Sequence, residues 1–330
     1  MINKKDKGDA MFTNKNFPKA KKYWFMGKFY DWSEAIIHPM THALHYGNSV
    51  FEGIRAYKTP KGPAVFRLNE HMDRFMHSAG ILKMKTPYSK KEIAEVIKLV
   101  LKQNNLESAY IRPLLFYSYG NLGLIPKSSP VELLVGAWQW GAYLGENALT
   151  GVYVYILPWR RVHHSQYDMS AKLGGIYVQS TICGLIAREK GCDEAVFLNL
   201  EKNVAEGPGE NIFIYKNGVL KTNDRSESVL EGITRSSILE IADDMGIKTQ
   251  IAPITKQDFL EADEAFFSGT AAEIAPITKA KDASDKNLPV KDTVIGKGKP
   301  GEITKKISET YADCVRGKIK KYEKWLTYVY

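Results

Sequence analysis

The segment Ser170-Ala171-Lys172-Leu173-Gly174-Gly175-Ile176-Tyr177 places one lysine after an apolar strand pattern and directly before a tight Gly-Gly turn. Most lysines are exposed and do no chemistry. A desolvated one loses basicity and can form a Schiff base with an aldehyde cofactor. Three other segments give this lysine suitable company. Glu206-Gly207-Pro208-Gly209-Glu210-Asn211 puts a carboxylate on a turn just before a buried strand. Glu231-Gly232-Ile233-Thr234 opens a helix whose free N–H groups suit a phosphate. Ser268-Gly269-Thr270-Ala271-Ala272 ends a strand in small residues with exposed N–H groups. A reactive amine, a carboxylate for a pyridinium nitrogen and anion-binding N–H groups are together what pyridoxal 5′-phosphate requires.

Other patterns carry less. Gly296-Lys297-Gly298-Lys299-Pro300-Gly301 has the formal G-x-G-x-x-G spacing, but the strand before it is short, Pro300 interrupts, and no acidic ribose partner follows about twenty residues on. It is expected to be a surface loop. His42 and His45 lie three apart, yet the H-E-x-x-H arrangement is absent and Pro39 and Gly47 disfavour a long helix, so packed histidines or a polar loop are expected and no metal. There is no G-x-S-x-G serine elbow.

These groups must be positioned by a chain of 330 residues, a length for which two domains are the default. After a polar leader, 1–22, short β-like runs at 22–29 and 62–67 precede amphipathic helices at 70–82 and 90–101 and buried strands at 110–117 and 131–138. Pro113 puts the first of these strands near an edge or an end. The implied organisation is a smaller N-terminal α+β domain, 23–138, a connector, 139–149, and a larger C-terminal mixed α/β domain, 150–330. In the latter, strands at 152–156, 194–199, 211–215 and 264–268 alternate with helices at 177–190 and around 238–245. Asn217-Gly218 signals a hairpin, and the tail 303–325 reads as helical.

Composition restricts the partners. Lys and Arg number 46 against 37 Asp and Glu, a net charge of +9, but much of the excess sits in terminal runs that are ordinary solvated faces. No nucleic-acid reading motif accompanies it, so no nucleic-acid partner is expected. The three cysteines form no CxxC pair, as suits free thiols in a reducing compartment. The start MINKKDKGDAMF lacks an apolar signal core, and no apolar run is long enough for a membrane helix. A cytoplasmic location is expected.

From Trp24 to about Trp325 the chain resembles the fold-type IV pyridoxal-phosphate aminotransferases, and within them the branched-chain amino-acid aminotransferases. The resemblance runs in order through His42-Ala43-Leu44-His45-Tyr46-Gly47, Val50-Phe51-Glu52-Gly53-Ile54-Arg55, Glu70-His71-Met72-Asp73-Arg74, Tyr110-Ile111-Arg112-Pro113 and Trp140-Gly141-Ala142-Tyr143, then the four segments above. It implies that Lys172 is the Schiff-base lysine and general acid and base. Arg74 would hold the phosphate with the Ile233 and Thr234 backbone and Thr270. Tyr177 would meet the phenolic oxygen and Glu206 the pyridine nitrogen. Phe51, Tyr46, Trp140 and Tyr143 match the apolar substrate wall, and Leu124 a loop position reaching in from a partner subunit. Tyr110 with the Thr270 and Ala271 backbone matches the α-carboxylate contacts, and Arg112 the residue that receives glutamate's side-chain carboxylate.

The implied activity is transamination between L-leucine, L-isoleucine or L-valine and 2-oxoglutarate, in a homodimer or higher homo-oligomer. D-amino-acid aminotransferase, amine transaminase and aminodeoxychorismate lyase are family alternatives that the Tyr110 to Pro113 run disfavours. The loop 121–130 and the segment Tyr167-Asp168-Met169 depart from the usual family wording.

Overall fold

Apolar spacing builds the helices that brace the first sheet. In the computed structural model, which describes residues 20–34, 36–140 and 150–330, α1 covers His42–Tyr46, α2 Leu68–Ile81 and α3 Lys90–Asn104. Helix α3 starts at a capping box in which Ser89 and Glu92 satisfy each other's backbone N–H groups. Its stripe Ile93, Val96, Ile97, Val100 and Leu101 is buried against Met72, Phe75 and Ala79 of α2. Both helices begin or end within a few residues of the sequence expectation.

They cover a sheet of β1 (Lys22–Phe25), β2 (Lys28–Asp31), β3 (Ser49–Phe51), β4 (Ile54–Thr59), β5 (Gly62–Phe66), β6 (Ala109–Tyr117) and β7 (Val131–Trp138). Contrary to the expectation for a strand containing Pro113, β6 lies inside the sheet, paired with β7 along its length from Tyr110↔Trp138 to Tyr117↔Val131. The proline is accommodated because β6 changes neighbours there. β4 pairs with residues 109–111 and β3 with residues 114–116, so the missing N–H falls at the break. The chain between β3 and β4 crosses that break, and Glu52 N–H donates to the Pro113 carbonyl at 3.1 Å.

The second sheet is mixed, in the order β13 (Lys248–Ile251), β12 (Val219–Thr222), β11 (Asn211–Lys216), β15 (Glu264–Gly269), β16 (Glu273–Asp282), β8 (Val152–Arg160), β9 (Glu194–Leu198), β10 (Asn203–Val204) and β14 (Ile254–Thr255), with β17 (Lys291–Val294) beside β16. Helices α4 (Tyr177–Glu189), α5 (Ile233–Asp244), α6 (Lys256–Leu260) and α7 (Glu302–Val315) accompany it. The Asn217-Gly218 hairpin joins β11 to β12 with both residues at positive φ.

Two tail features differ from the sequence reading. The helix ends at Val315, because Gly317 turns left-handed at φ +68, and a 3-10 turn leads into β18 (Leu326–Tyr328). That strand returns to the first sheet and pairs with β5, so Trp325 and Leu326 share a core with Phe66, Phe213 and Ile238. The Gly296 to Gly301 loop does open a helix, α7, but the Ile303 and Thr304 N–H groups donate to the Glu264 carboxylate at 3.1 and 2.7 Å. A protein carboxylate occupies the place a phosphate would need. No described helix is long and apolar enough to cross a membrane.

Candidate active site

Lys172 lies where the two sheets meet. Its N–H donates to Ser78 Oγ on α2, its carbonyl accepts from Phe51 N–H, and the next residue, Leu173, bridges to Val50. Its ammonium donates to the Tyr177 hydroxyl at 2.5 Å and stands 4.9 Å from the Phe51 ring centroid and 4.8 Å from that of Tyr177. Tyr177 is the first residue of α4, and its ring meets Phe51 edge-on. The lysine is thus aimed by backbone bonds to α2 and β3, both of the first sheet's layer, and walled by aromatic rings.

It faces a cleft lined also by Arg74, Tyr110, Tyr177, Glu206 and the 268–271 turn. Nine of the residues singled out from the sequence lie on this lining: Arg74, Tyr110, Lys172, Tyr177, Glu206, Ile233, Thr234, Thr270 and Ala271. Gly53 lets the second of them in, because a Cβ there would sit 2.2 Å from the Tyr110 hydroxyl.

Glu206 is buried, and its position is over-determined. Leu230 N–H donates to one oxygen at 3.1 Å and Arg161 Nη2 pairs with the other at 2.9 Å. Burial pushes this carboxyl above its ordinary value, and the Arg161 charge leads the interactions that hold the rise back. Arg161 is itself buried, stands 5.0 Å from the Phe197 ring centroid, and is held by Gln179 and Ser180. Sequence reading missed it. The pair Arg160-Arg161 closing an apolar strand was the available signal.

Arg74 is not a helix-surface residue paired with Asp73 or Glu70, for those carboxylates pair with Lys90 and Arg67. Its guanidinium grips the fully buried Glu52 with Nε at 2.6 Å and Nη2 at 2.9 Å, leaving Nη1 toward the Glu231 carbonyl at the mouth of α5. His71 Nδ1 bonds the same carboxylate at 2.7 Å. Burial alone would raise Glu52, but Arg74 and then His71 overcome it and hold the carboxyl well below the usual range. Burial lowers the imidazole, so we read His71 as a neutral donor and Arg74 as the countercharge. Removing Glu52 would leave a buried guanidinium unpaired, a loss of about 3–5 kcal/mol. Glu52, a lone charge inside an apolar strand pattern, was legible as unusual but not as a partner of Arg74.

The opposite end of the cleft is rich in donors. Helix α5 starts at Gly232 with no side-chain cap, so its first-turn N–H groups have no partner within the helix. Ser268 Oγ is buried, on the lining, and without a hydrogen-bond partner. The sequence reading flagged its segment for backbone N–H groups but not for this hydroxyl. Together with Arg74 and the 269–271 turn these groups suit a dianion, while Glu206 suits a protonated ring nitrogen.

The substrate wall is less complete. Phe51 carries the Arg112 guanidinium 4.6 Å from its centroid, and Arg112 Nη2 donates to the Tyr110 hydroxyl at 2.8 Å. Trp140 packs edge-on against Tyr110 at 4.5 Å. Tyr46, by contrast, is 45% exposed, donates its hydroxyl to the Leu122 carbonyl, and lines a separate recess with Leu173 and Ile176. Leu124 is 70% exposed and off the cleft. Tyr143 lies outside the described residues. His42 is buried and bonded to the Gly123 carbonyl and Asn48, and the described residues hold no cluster able to bind a metal.

The profile of the family described as Amino-transferase class IV matches residues 49–280, which spans every element of this cleft. The chain belongs to the class IV aminotransferases. Among class IV relatives, the branched-chain-amino-acid aminotransferase of Pseudomonas aeruginosa is 44% identical over 93% of this chain and 96% of its own. A T.th. branched-chain amino acid aminotransferase crystallised with pyridoxamine 5′-phosphate superposes with a TM-score of 0.88 at 42% identity, covering 95% of this chain and all of the other. The same enzyme complexed with 4-methylvaleric acid gives a TM-score of 0.87 at 40% identity, with the same coverage. The fold-type IV, α+β architecture expected from sequence is therefore the one this family member has.

Proposed function

We propose that the protein transfers the amino group of L-leucine, L-isoleucine and L-valine to 2-oxoglutarate, with pyridoxal 5′-phosphate as cofactor. The observation that carries this reading is the Lys172 ammonium held against Tyr177 in a cleft with Glu206 at one end and Arg74, Ser268 and the α5 N-terminus at the other. The donor set fits the cofactor. The phosphate would take the Arg74 Nη1, Ile233, Thr234 and Thr270 donors, the ring nitrogen Glu206, and the phenolic oxygen Tyr177. When bound, the cofactor supplies an aldehyde and an electron-accepting ring.

The chain's own residues then do the following. Lys172 supplies the amine that holds the cofactor and, once displaced by substrate, takes and returns the proton of the substrate α-carbon. Glu206, kept ionised by Arg161, holds the proton on the ring nitrogen. Tyr110 and the Thr270 and Ala271 N–H groups bind the α-carboxylate. Phe51 and Trp140 receive the aliphatic side chain, which gains about 25 cal/mol per Å² of apolar surface buried. Arg112, between Phe51 and Tyr110, meets glutamate's second carboxylate.

The two sheets support a reading of residues 23–138 and 150–330 as two domains, with β18 crossing back to the first. The exposed apolar residues Leu44, Tyr46, Leu122, Leu124 and Ile125 support a homodimer in which a second copy covers this face. Free, buried Cys183, Cys192 and Cys314 suit a cytoplasmic protein. The deciding experiment is a donor panel with 2-oxoglutarate as acceptor. L-leucine, L-isoleucine and L-valine should be consumed, and D-alanine or 1-phenylethylamine should not. Turnover of the D-amino acid or the amine in preference would replace this reading with a family alternative.

A further inference from the structure

The turn 270–272 is a three-residue hairpin loop, closed by the Gly269↔Glu273 pair of β15 and β16. Such loops commonly place their last residue in the left-handed region, where glycine is usual. Here the left-handed residue is instead Glu273, the strand residue that closes the loop, at φ +53, a conformation a non-glycine residue keeps only when its surroundings enforce it. The enforcement comes from the other sheet. Arg55 Nη1 and the Tyr57 hydroxyl, both on β4, donate to the same Glu273 oxygen at 2.8 Å each. Arg55 Nη2 donates in addition to the Trp140 carbonyl at 3.2 Å.

Behind Tyr57 lie two more buried polar groups, the Tyr311 hydroxyl of α7 and the Thr234 side chain in the first turn of α5. A cluster of polar groups thus extends from Thr234, at the dianion end of the cleft, past Tyr311 and Tyr57 to Glu273 behind the 270–272 turn. Its members come from β4, α5, α7 and β16, so it ties both sheets to one turn.

We propose that Glu273 is a positioning residue for the substrate α-carboxylate: clamped by Arg55 and Tyr57, it fixes the left-handed backbone that aims the Thr270 and Ala271 N–H groups into the cleft. Glu273 need not touch substrate, and its neighbours Ala271 and Ala272 are too small to hold the turn by packing. The inference rests on the functional reading above, in which that turn meets a carboxylate.

The test uses the cofactor-loaded enzyme and two dead-end ligands of one shape, 4-methylvalerate and its neutral amide, with affinities followed through the cofactor's visible spectrum. Glu273→Ala should weaken 4-methylvalerate roughly tenfold or more, the size of one compromised charge-assisted hydrogen bond. It should leave the amide and cofactor affinities near those of the parent, and raise KM for leucine more than it lowers kcat. Glu273→Gln, which keeps an acceptor for both donors, should recover most of the acid affinity. Should the alanine variant not fold, Tyr57→Phe removes one of the two donors and should shift the acid-to-amide ratio in the same direction. An unchanged ratio in these variants, or an equal loss of acid, amide and cofactor, overturns the positioning role. A parent enzyme that neither prefers the acid to the amide nor transaminates leucine overturns the functional reading instead.

Discussion

The cofactor side and the substrate side of the site are built to different standards. On the cofactor side, Lys172, Glu206 and Arg74 are buried or half-buried, and each is held by a partner of the same chain. On the substrate side, Tyr46 and Leu124 lie off the cleft, 45% and 70% exposed, beside or on the loop 121–130. On the proposed function, the difference teaches that the chemistry belongs to the folded chain itself, whereas side-chain selectivity would depend on a surface the single chain leaves open. The largest test of that contrast is Lys172→Ala. We expect turnover to fall by more than about 10³-fold, since both the amine and the proton carrier are lost. A purified variant with parental leucine turnover would remove the centre of the argument.

Glu206 should come next. Glu206→Gln removes the charge on the ring nitrogen's partner, and single-turnover rates with leucine should fall about 10²-fold while cofactor affinity changes less. Arg161 sharpens the same point through pH. Burial raises the Glu206 carboxyl and Arg161 holds it down, so Arg161→Met should let it climb further. The carboxylate then ionises only at higher pH, and the acid limb of the kcat profile should move upward. An acid limb that stays in place would mean that Glu206 is not the group governing it.

Arg112→Leu probes the boundary between the two sides. Only dicarboxylic substrates bring a second carboxylate, and a hydrogen bond to a charged group contributes about 1.5–3 kcal/mol. Efficiency with glutamate and 2-oxoglutarate should fall tenfold to about a hundredfold by that measure, with leucine nearly spared. Equal losses for both, accompanied by a lower melting temperature, would assign Arg112 to the Phe51 and Tyr110 packing alone.

What was legible in the sequence follows the same division. Lys172, Glu206 and the α5 opening sit on turns whose glycines, apolar strands and helix starts mark them locally. Arg161 and Ser268 owe their roles to burial beside residues far along the chain, Arg161 lying 45 positions before Glu206, and no local pattern encodes such a pairing. Pro113 misled for the reverse reason. The local rule for a proline in a strand is sound, but β6 meets it through a change of partners at Pro113 that only the three-strand arrangement reveals. The β18 return shows the same limit, since a three-residue strand after a 3-10 turn has no period to read.

Buried carboxylates offer a smaller, thermodynamic test. Burial pushes Glu210 up to about 8 and Glu194 up to about 7. In the folded protein both bind their protons more tightly than in the unfolded chain. Their stabilising contribution is therefore full below the unfolded carboxyl value of 4.5 and is lost as pH rises through 7 and 8. Glu52 is held down, so its contribution is present at neutral pH and is lost as pH falls below its unfolded value of 4.5. Melting temperature should decline as pH rises from about 5 to about 8, the interval between the unfolded and folded values, and Glu210→Gln should flatten that decline. An unaltered slope would mean that Glu210 ionises as an ordinary carboxyl.

The smallest effect should come from Leu124, and it bears most directly on the contrast between the two sides. An exposed leucine contributes within about 0.5 kcal/mol to the stability of its own chain, so Leu124→Ala should leave the melting temperature unchanged. If a second copy's Leu124 closes the substrate pocket, KM for leucine should rise roughly threefold to tenfold, because a partly covered leucine gains less than the ~2 kcal/mol of a fully buried one. Mixed dimers separate the two geometries. A dimer of one Lys172→Ala chain and one Leu124→Ala chain has a single working lysine, on the chain that lacks Leu124, and an intact Leu124 on the other. Closure by the partner predicts the parental KM at that one working site. Closure within the chain predicts the raised KM of Leu124→Ala, and that result would return selectivity to the single chain and erase the difference between the two sides.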